Sequence, residues 1–166
     1  METVLEPVEV ALRLFAAASA GIILGINRDL KRKPTGMRTL ALVALGAALA
    51  TVTSVYLTKI QSDPDALSRV VQGVLQGVLT GIAFLGAGAI IRSDKAGEHP
   101  GLTTAANVFV VATIGIACGL GEWWAAFFGF LFAFLILVAL SPIEQRLERL
   151  ADKRHPEDPN KPSNDA

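Results

Sequence analysis

The stretch GIILGINRDLKRKPTGMRTLALVALG, residues 21–46, decides the architecture. Two apolar segments flank a short loop region that carries Arg28, Lys31, Arg32, Lys33 and Arg38. A water-soluble domain rarely needs such a cluster between segments this apolar. A membrane protein does, because Lys and Arg in short loops are retained on the cytoplasmic side and orient the spans. The stretch therefore reads as two membrane helices joined by a cytoplasmic loop.

The rest of the chain fits that reading. Of 166 residues, 52% are hydrophobic, and the mean hydropathy is +0.48. These values suit a small polytopic membrane protein. Five segments approach the roughly 20 apolar residues that a bilayer requires: Val8–Ile26, Met37–Thr58, Ala66–Ile91, Leu102–Leu120 and Trp123–Leu140. Ala18-Ser19-Ala20 resembles a signal-peptide cleavage site, but the residues before it include Glu2, Glu6 and Glu9, the wrong sign for a signal peptide. The first segment is thus expected to be a retained helix.

Loop charges orient the bundle. The first loop is strongly basic, the third carries Arg92 and Lys95, and the tail carries Arg146, Arg149, Lys153, Arg154 and Lys161. The N-terminus has no cation, the fourth loop has only Glu122, and the second balances Lys59 and Arg69 against Asp63 and Asp65. The expected fold is an all-α bundle of five transmembrane helices, N-terminus outside and C-terminus cytoplasmic. Trp123 and Trp124 then fall at the outer interface, which indole rings favour. Residues 1–142 form the transmembrane domain. In residues 143–166, Ile143 to Lys153 reads as a charged amphipathic helix on the inner surface, and HPEDPNKPSNDA from His155 as a disordered tail.

The third helix carries the clearest internal pattern. Gly73, Gly77 and Gly81 recur every four residues, with Gly86 and Gly88 beyond them. Such a small-residue face lets another helix approach closely in lipid, so it can receive a second copy or another membrane protein. Arg69, Gln72, Gln76 and Thr80 fall on the adjacent face, within roughly 80° at about 100° per residue. Gln72, Gln76 and Thr80 could line a polar path or ligand cavity; interhelical hydrogen bonding, common in membrane bundles, is the simpler account of them. Arg13, one turn after Glu9, reads as half of a local ion pair. Asn27 reads as structural, and Cys118, the one cysteine, as a small packing residue.

The second helix starts after Pro34-Thr35-Gly36, and the fourth starts at Pro100-Gly101, with Thr103 or Thr104 as cap. Two positive helix ends beside Arg28, Lys33 and Arg38 make a candidate site for an anion, a lipid phosphate or an acidic partner. Topology and nonspecific headgroup binding would also account for the cations.

Enzymatic signatures are missing from the sequence. No H-E-x-x-H, Walker A loop or nucleophile elbow occurs. His99 and His155 have no short-spaced metal-ligand partners, and no Asp or Glu lies inside a span away from its ends. The expectation is a protein without catalysis, metal or cofactor, whose partners are lipids and membrane proteins and not nucleic acid.

Three blocks, in order, carry a resemblance to a known family. GINRDLKRKPTGMRTLALVALGAAL (residues 25–49) resembles the signature joining the first two helices of MgtC/SapB (YhiD-like) membrane proteins. GIAFLGAGAIIR (81–92) and GLTTAANVFVVATIGIACGLG (101–121) resemble that family's third- and fourth-helix blocks. The matching positions are Arg28, Lys33, Pro34, Gly36, Arg38, Thr39, Gly81, Gly86, Gly88, Gly101, Thr103 and Thr104.

There are departures. Asn27-Arg28-Asp29 replaces a common Glu-Arg-Glu, and Thr39-Leu40 replaces a frequent Thr-His. Gln-Gly occurs twice, at residues 72–73 and 76–77, an apparent extra turn. The tail is too short for the ACT-like domain that many members carry, so a short form is implied.

The resemblance implies a bacterial inner-membrane protein associated with magnesium limitation, acid tolerance and survival inside host cells. It implies modulation of other membrane systems more than Mg²⁺ transport. A small ion transporter or channel and a lipid- or anion-binding module are the competing expectations.

Overall fold

The computed structural model describes residues 6–30, 35–60, 64–93 and 100–152, and every regular element among them is a helix. In chain order these are α1 (Pro7–Leu30), α2 (Met37–Ile60), α3 (Pro64–Ser93), α4 (Pro100–Leu120) and α5 (Trp123–Asp152). The polar tail from His155 lies outside the described residues.

Local chemistry sets the ends. α1, α3 and α4 each begin with proline, whose fixed φ and missing N–H suit the first helical position. α2 follows Thr35, which sits in the left-handed region at φ 62°. α4 stops at Gly121, with φ 82°. The Gly121 N–H donates to the Cys118 carbonyl at 3.0 Å and the Glu122 N–H to the Ala117 carbonyl at 3.0 Å. This is a Schellman termination, and a residue without Cβ meets its positive φ at no steric cost. α5 begins at once, its first turn closed by the Ala126 N–H on the Glu122 carbonyl at 3.0 Å.

Four apolar stretches are long enough to cross a membrane: Pro7–Leu30, Met37–Tyr56, Ser68–Ile91 and Gly101–Leu120. The fifth, Trp123–Ala139, is apolar but shorter, at 17 residues or fewer. α5 continues as helix through Ser141-Pro142 instead of restarting after it. Pro142 removes one backbone donor there, a loss that a membrane helix tolerates. The chain divides into two compact units, Met1–Phe134 and Leu135–Ala166. The second contains the remainder of α5, and everything below concerns the first.

α4 is the most apolar helix and the centre of the first unit. It packs against α1, α2 and α3, and α1 packs extensively against α2. Of its spanning window 56% is buried, against 11% for α3. The contacts are made by small residues. A β-carbon at Gly21 would stand 2.6 Å from the Leu40 carbonyl oxygen, and one at Gly25 2.3 Å from Met37 Cα. One at Gly115 would stand 2.3 Å from the Ala44 carbonyl oxygen, and one at Gly119 2.7 Å from Thr51 Cβ. Ala17, Ala44, Ala48 and Ala112 are fully buried between them. In lipid, this close backbone approach supplies the dispersion that holds helices together. Outward, Phe15, Phe84 and Trp124 are more than 70% exposed; on helices of membrane length such an apolar surface meets lipid.

Candidate functional site

Two arginines on the inward stripe of α1 meet the two ends of α4. Arg28, 3% exposed, donates from Nη2 to Thr104 Oγ1 at 2.5 Å and from Nε to the Thr35 carbonyl at 3.2 Å. Arg13, 8% exposed, donates from Nη1 to the Gly119 carbonyl at 2.8 Å and pairs with Glu9 one turn earlier. The ion pair expected from the sequence is therefore present. The Gly119 carbonyl, 106 residues away, is the contact that sequence spacing could not announce. It is one of the carbonyls that the end of a helix leaves without an intrahelical donor.

Beside Arg28, the start of α2 is capped from outside its own helix. Asp29 Oδ2 accepts the Met37 N–H at 3.0 Å. A carboxylate at a helix N-terminus is favoured by both the free donor and the dipole. Gly36 makes room for it: a β-carbon there would collide with Asp29 Oδ1.

Of the residues proposed for an anion or lipid site, the structure joins buried Arg28 and Thr104 to the half-buried Thr35–Gly36 turn, with Gly101 also buried. Arg38, Thr39 and Thr103 are exposed. Lys33 and Pro34 lie outside the described residues. Arg28 and the first α2 donor are thus engaged by the protein's own groups, and Arg38 is an exposed cation at this end.

α3 is different. It approaches α4 at Gly86, where a β-carbon would stand 3.3 Å from Ala105 Cβ. Gly73, Gly77, Gly81 and Gly88 have no atom within 4 Å of where a β-carbon would stand. Gln72, Gln76 and Thr80, expected on one face, line an open groove of about 1220 Å³ together with Val55 of α2 and Leu120 of α4. The Thr80 hydroxyl donates back to the Gln76 carbonyl at 2.7 Å. Gly77 and Gly81 border a second groove, shared with α2.

Inside the bundle, Asn107 is 5% exposed, and its Nδ2 has no hydrogen-bond partner among the described residues. Thr51 and Ser54 of α2 return their hydroxyls to the carbonyls of Ala47 and Ala50. Among the described residues, no group of three or more His, Cys, Asp or Glu side chains could hold a metal ion.

Known proteins share this chain over most of its length. SrpB of Synechococcus elongatus is 38% identical over 154 residues, covering 85% of this chain and 78% of that protein. MgtC of Salmonella typhimurium is 34% identical over 139 residues, covering 84% and 55%. SapB of Bacillus subtilis is 29% identical over 154 residues, covering 87% and 63%. The chain thus spans less than two thirds of the MgtC and SapB relatives. No solved structure matches it. The MgtC family model aligns with residues 14–146, which take in the Arg28–Thr104 contact between α1 and α4 and the whole of α2, α3 and α4; this multi-pass helical membrane protein belongs to the MgtC family.

Proposed function

We propose that this protein is a non-enzymatic modulator of other membrane systems in a bacterial inner membrane, acting during magnesium limitation or envelope and acid stress. It works by helix–helix contact through α3, N-terminus outside and C-terminus cytoplasmic. The observation that carries this reading is the contrast within the bundle. α4 is mostly enclosed, while α3 keeps an unfilled glycine stripe and an amide face at its surface. Small residues and amides are the side chains by which membrane helices associate. The relatives' names, MgtC and SapB, support a setting in magnesium physiology.

The test is crosslinking and co-purification from native membranes with Gly73→Leu. Loss of a co-purifying membrane protein, with the fold retained, supports the reading. Loss of self-association alone makes α3 a seam between copies. Unchanged association removes α3 from the contact.

A second reading is a small ion path. It draws on the groove that holds Gln72, Gln76 and Thr80. Mg²⁺ and monovalent flux into liposomes, reduced by Gln76→Leu, would replace the modulator with a transporter. Absence of flux from correctly inserted protein leaves the modulator.

A further inference from the structure

The groove between α2 and α3 has a chemistry of its own. It is about 520 Å³, and its lining includes Thr39, Leu42 and Gly46 of α2 and Gly77, Gly81 and Leu85 of α3. Thr39 supplies the one polar side chain in the lining. Gly46, Gly77 and Gly81 have open space where their β-carbons would stand, so missing side chains give the groove its depth. Both walls belong to segments of membrane length, and the medium that reaches such a groove from the side is acyl chain.

An apolar slot alone would accept any lipid. This one has a charge at one end. Arg38 is exposed, lies one turn before Leu42 on the same ridge of α2, and directly precedes Thr39 in the lining. Among the described residues it has no ion-pair partner, whereas Arg28 and the first α2 N–H are engaged by Thr104 and Asp29. A guanidinium at the membrane–water boundary offers a planar fork matched to phosphate oxygens, and basic sites between membrane helices select anionic headgroups.

We infer that the α2–α3 groove holds one acyl chain of an anionic phospholipid, with the headgroup phosphate on Arg38. The site adjoins the proposed partner contact and shares Gly77 and Gly81 with it, but Gly46 and Arg38 belong to α2, and Gly73 does not line this groove.

The test uses the full chain, purified and delipidated, offered phosphatidylglycerol and phosphatidylcholine of identical chains, with bound lipids counted by native mass spectrometry. One phosphatidylglycerol should be retained, with a preference of about fivefold over phosphatidylcholine, the size expected for one cation near a membrane surface. Arg38→Gln should bring that preference close to unity while occupancy persists. Gly46→Leu should fill the slot and remove both lipids.

Arg38 is a surface residue, so its variant keeps the test open even if Gly46→Leu proves unstable. A preference unchanged in Arg38→Gln overturns the inference, as does retention unchanged in folded Gly46→Leu. Neither result bears on Gly73→Leu co-purification, so the two readings fail separately.

Discussion

The guanidinium of Arg28 donates to the hydroxyl of Thr104, joining the last turn of α1 to the first turn of α4 across 76 residues of sequence. A buried cation in this setting depends on every acceptor it has. Thr104 is itself fully buried, so no water replaces the hydroxyl if it is removed. Thr104→Val keeps the shape and deletes the acceptor. It should destabilise the bundle by about 1–3 kcal/mol, while Thr104→Ser should cost far less. Thermal unfolding in detergent, followed by circular dichroism, checks the pair; equal melting of the two variants refutes the brace.

The glycines divide into two classes with opposite tolerance. Alanine at Gly21, Gly25, Gly115 or Gly119 places a methyl group within 2.7 Å of neighbouring backbone or of Thr51. Each should cost about 1–3 kcal/mol or more, because a close-packed contact cannot yield without moving a helix. Gly73→Ala and Gly88→Ala meet open space and should leave the melting temperature unchanged or slightly higher. An alanine scan of these six positions by melting temperature in one detergent settles the division.

At the α4–α5 junction, Gly121→Ala meets two obstacles. Its φ of 82° costs an L-residue about 1–2 kcal/mol, and its methyl group would press on the Arg13 guanidinium, 2.6 Å away. Asn tolerates the left-handed region better than Ala. Gly121→Asn should therefore melt above Gly121→Ala and below the parent protein. The reverse order would show that the turn does not govern stability there.

Asn107→Leu should run the other way. Nδ2 is buried with no partner among the described residues, and exchanging an unsatisfied amide for an apolar group of similar size is neutral or stabilising. The expected melting temperature is equal to or above that of the parent. A clear drop would mean that the amide has a partner in the membrane-embedded protein, such as a bound water.

Much of the frame was legible because its signals are local. The apolar runs placed the helices, Pro100 opens α4 as expected, and the spacing of Glu9 and Arg13 foretold their pair. The glycines were harder to rank. Gly21 and Gly25, like Gly115 and Gly119, show the same four-residue spacing as the α3 stripe, yet only these two pairs press against backbone of a neighbouring helix. Periodicity marks a face; which face is covered depends on the helix opposite, a long-range matter. Arg28 shows the same limit. A run of loop cations suggested one shared role, but its position on the inward stripe of α1 carries it into the bundle, while Arg38 stays outside.

The two α1 arginines also bear on how the protein is made. Their acceptors on α4 lie 76 and 106 residues downstream, so α1 leaves the ribosome long before either can be reached. An arginine at the centre of a lone span costs about 2.5–3.5 kcal/mol on insertion scales, less toward its ends. Until α4 is in place neither arginine has its α4 acceptor, so these two contacts are among the last that α1 can make. Chains truncated before residue 100 should accordingly be cleared quickly or extracted by alkali, and restoring the chain through residue 121 should make them stable in the membrane.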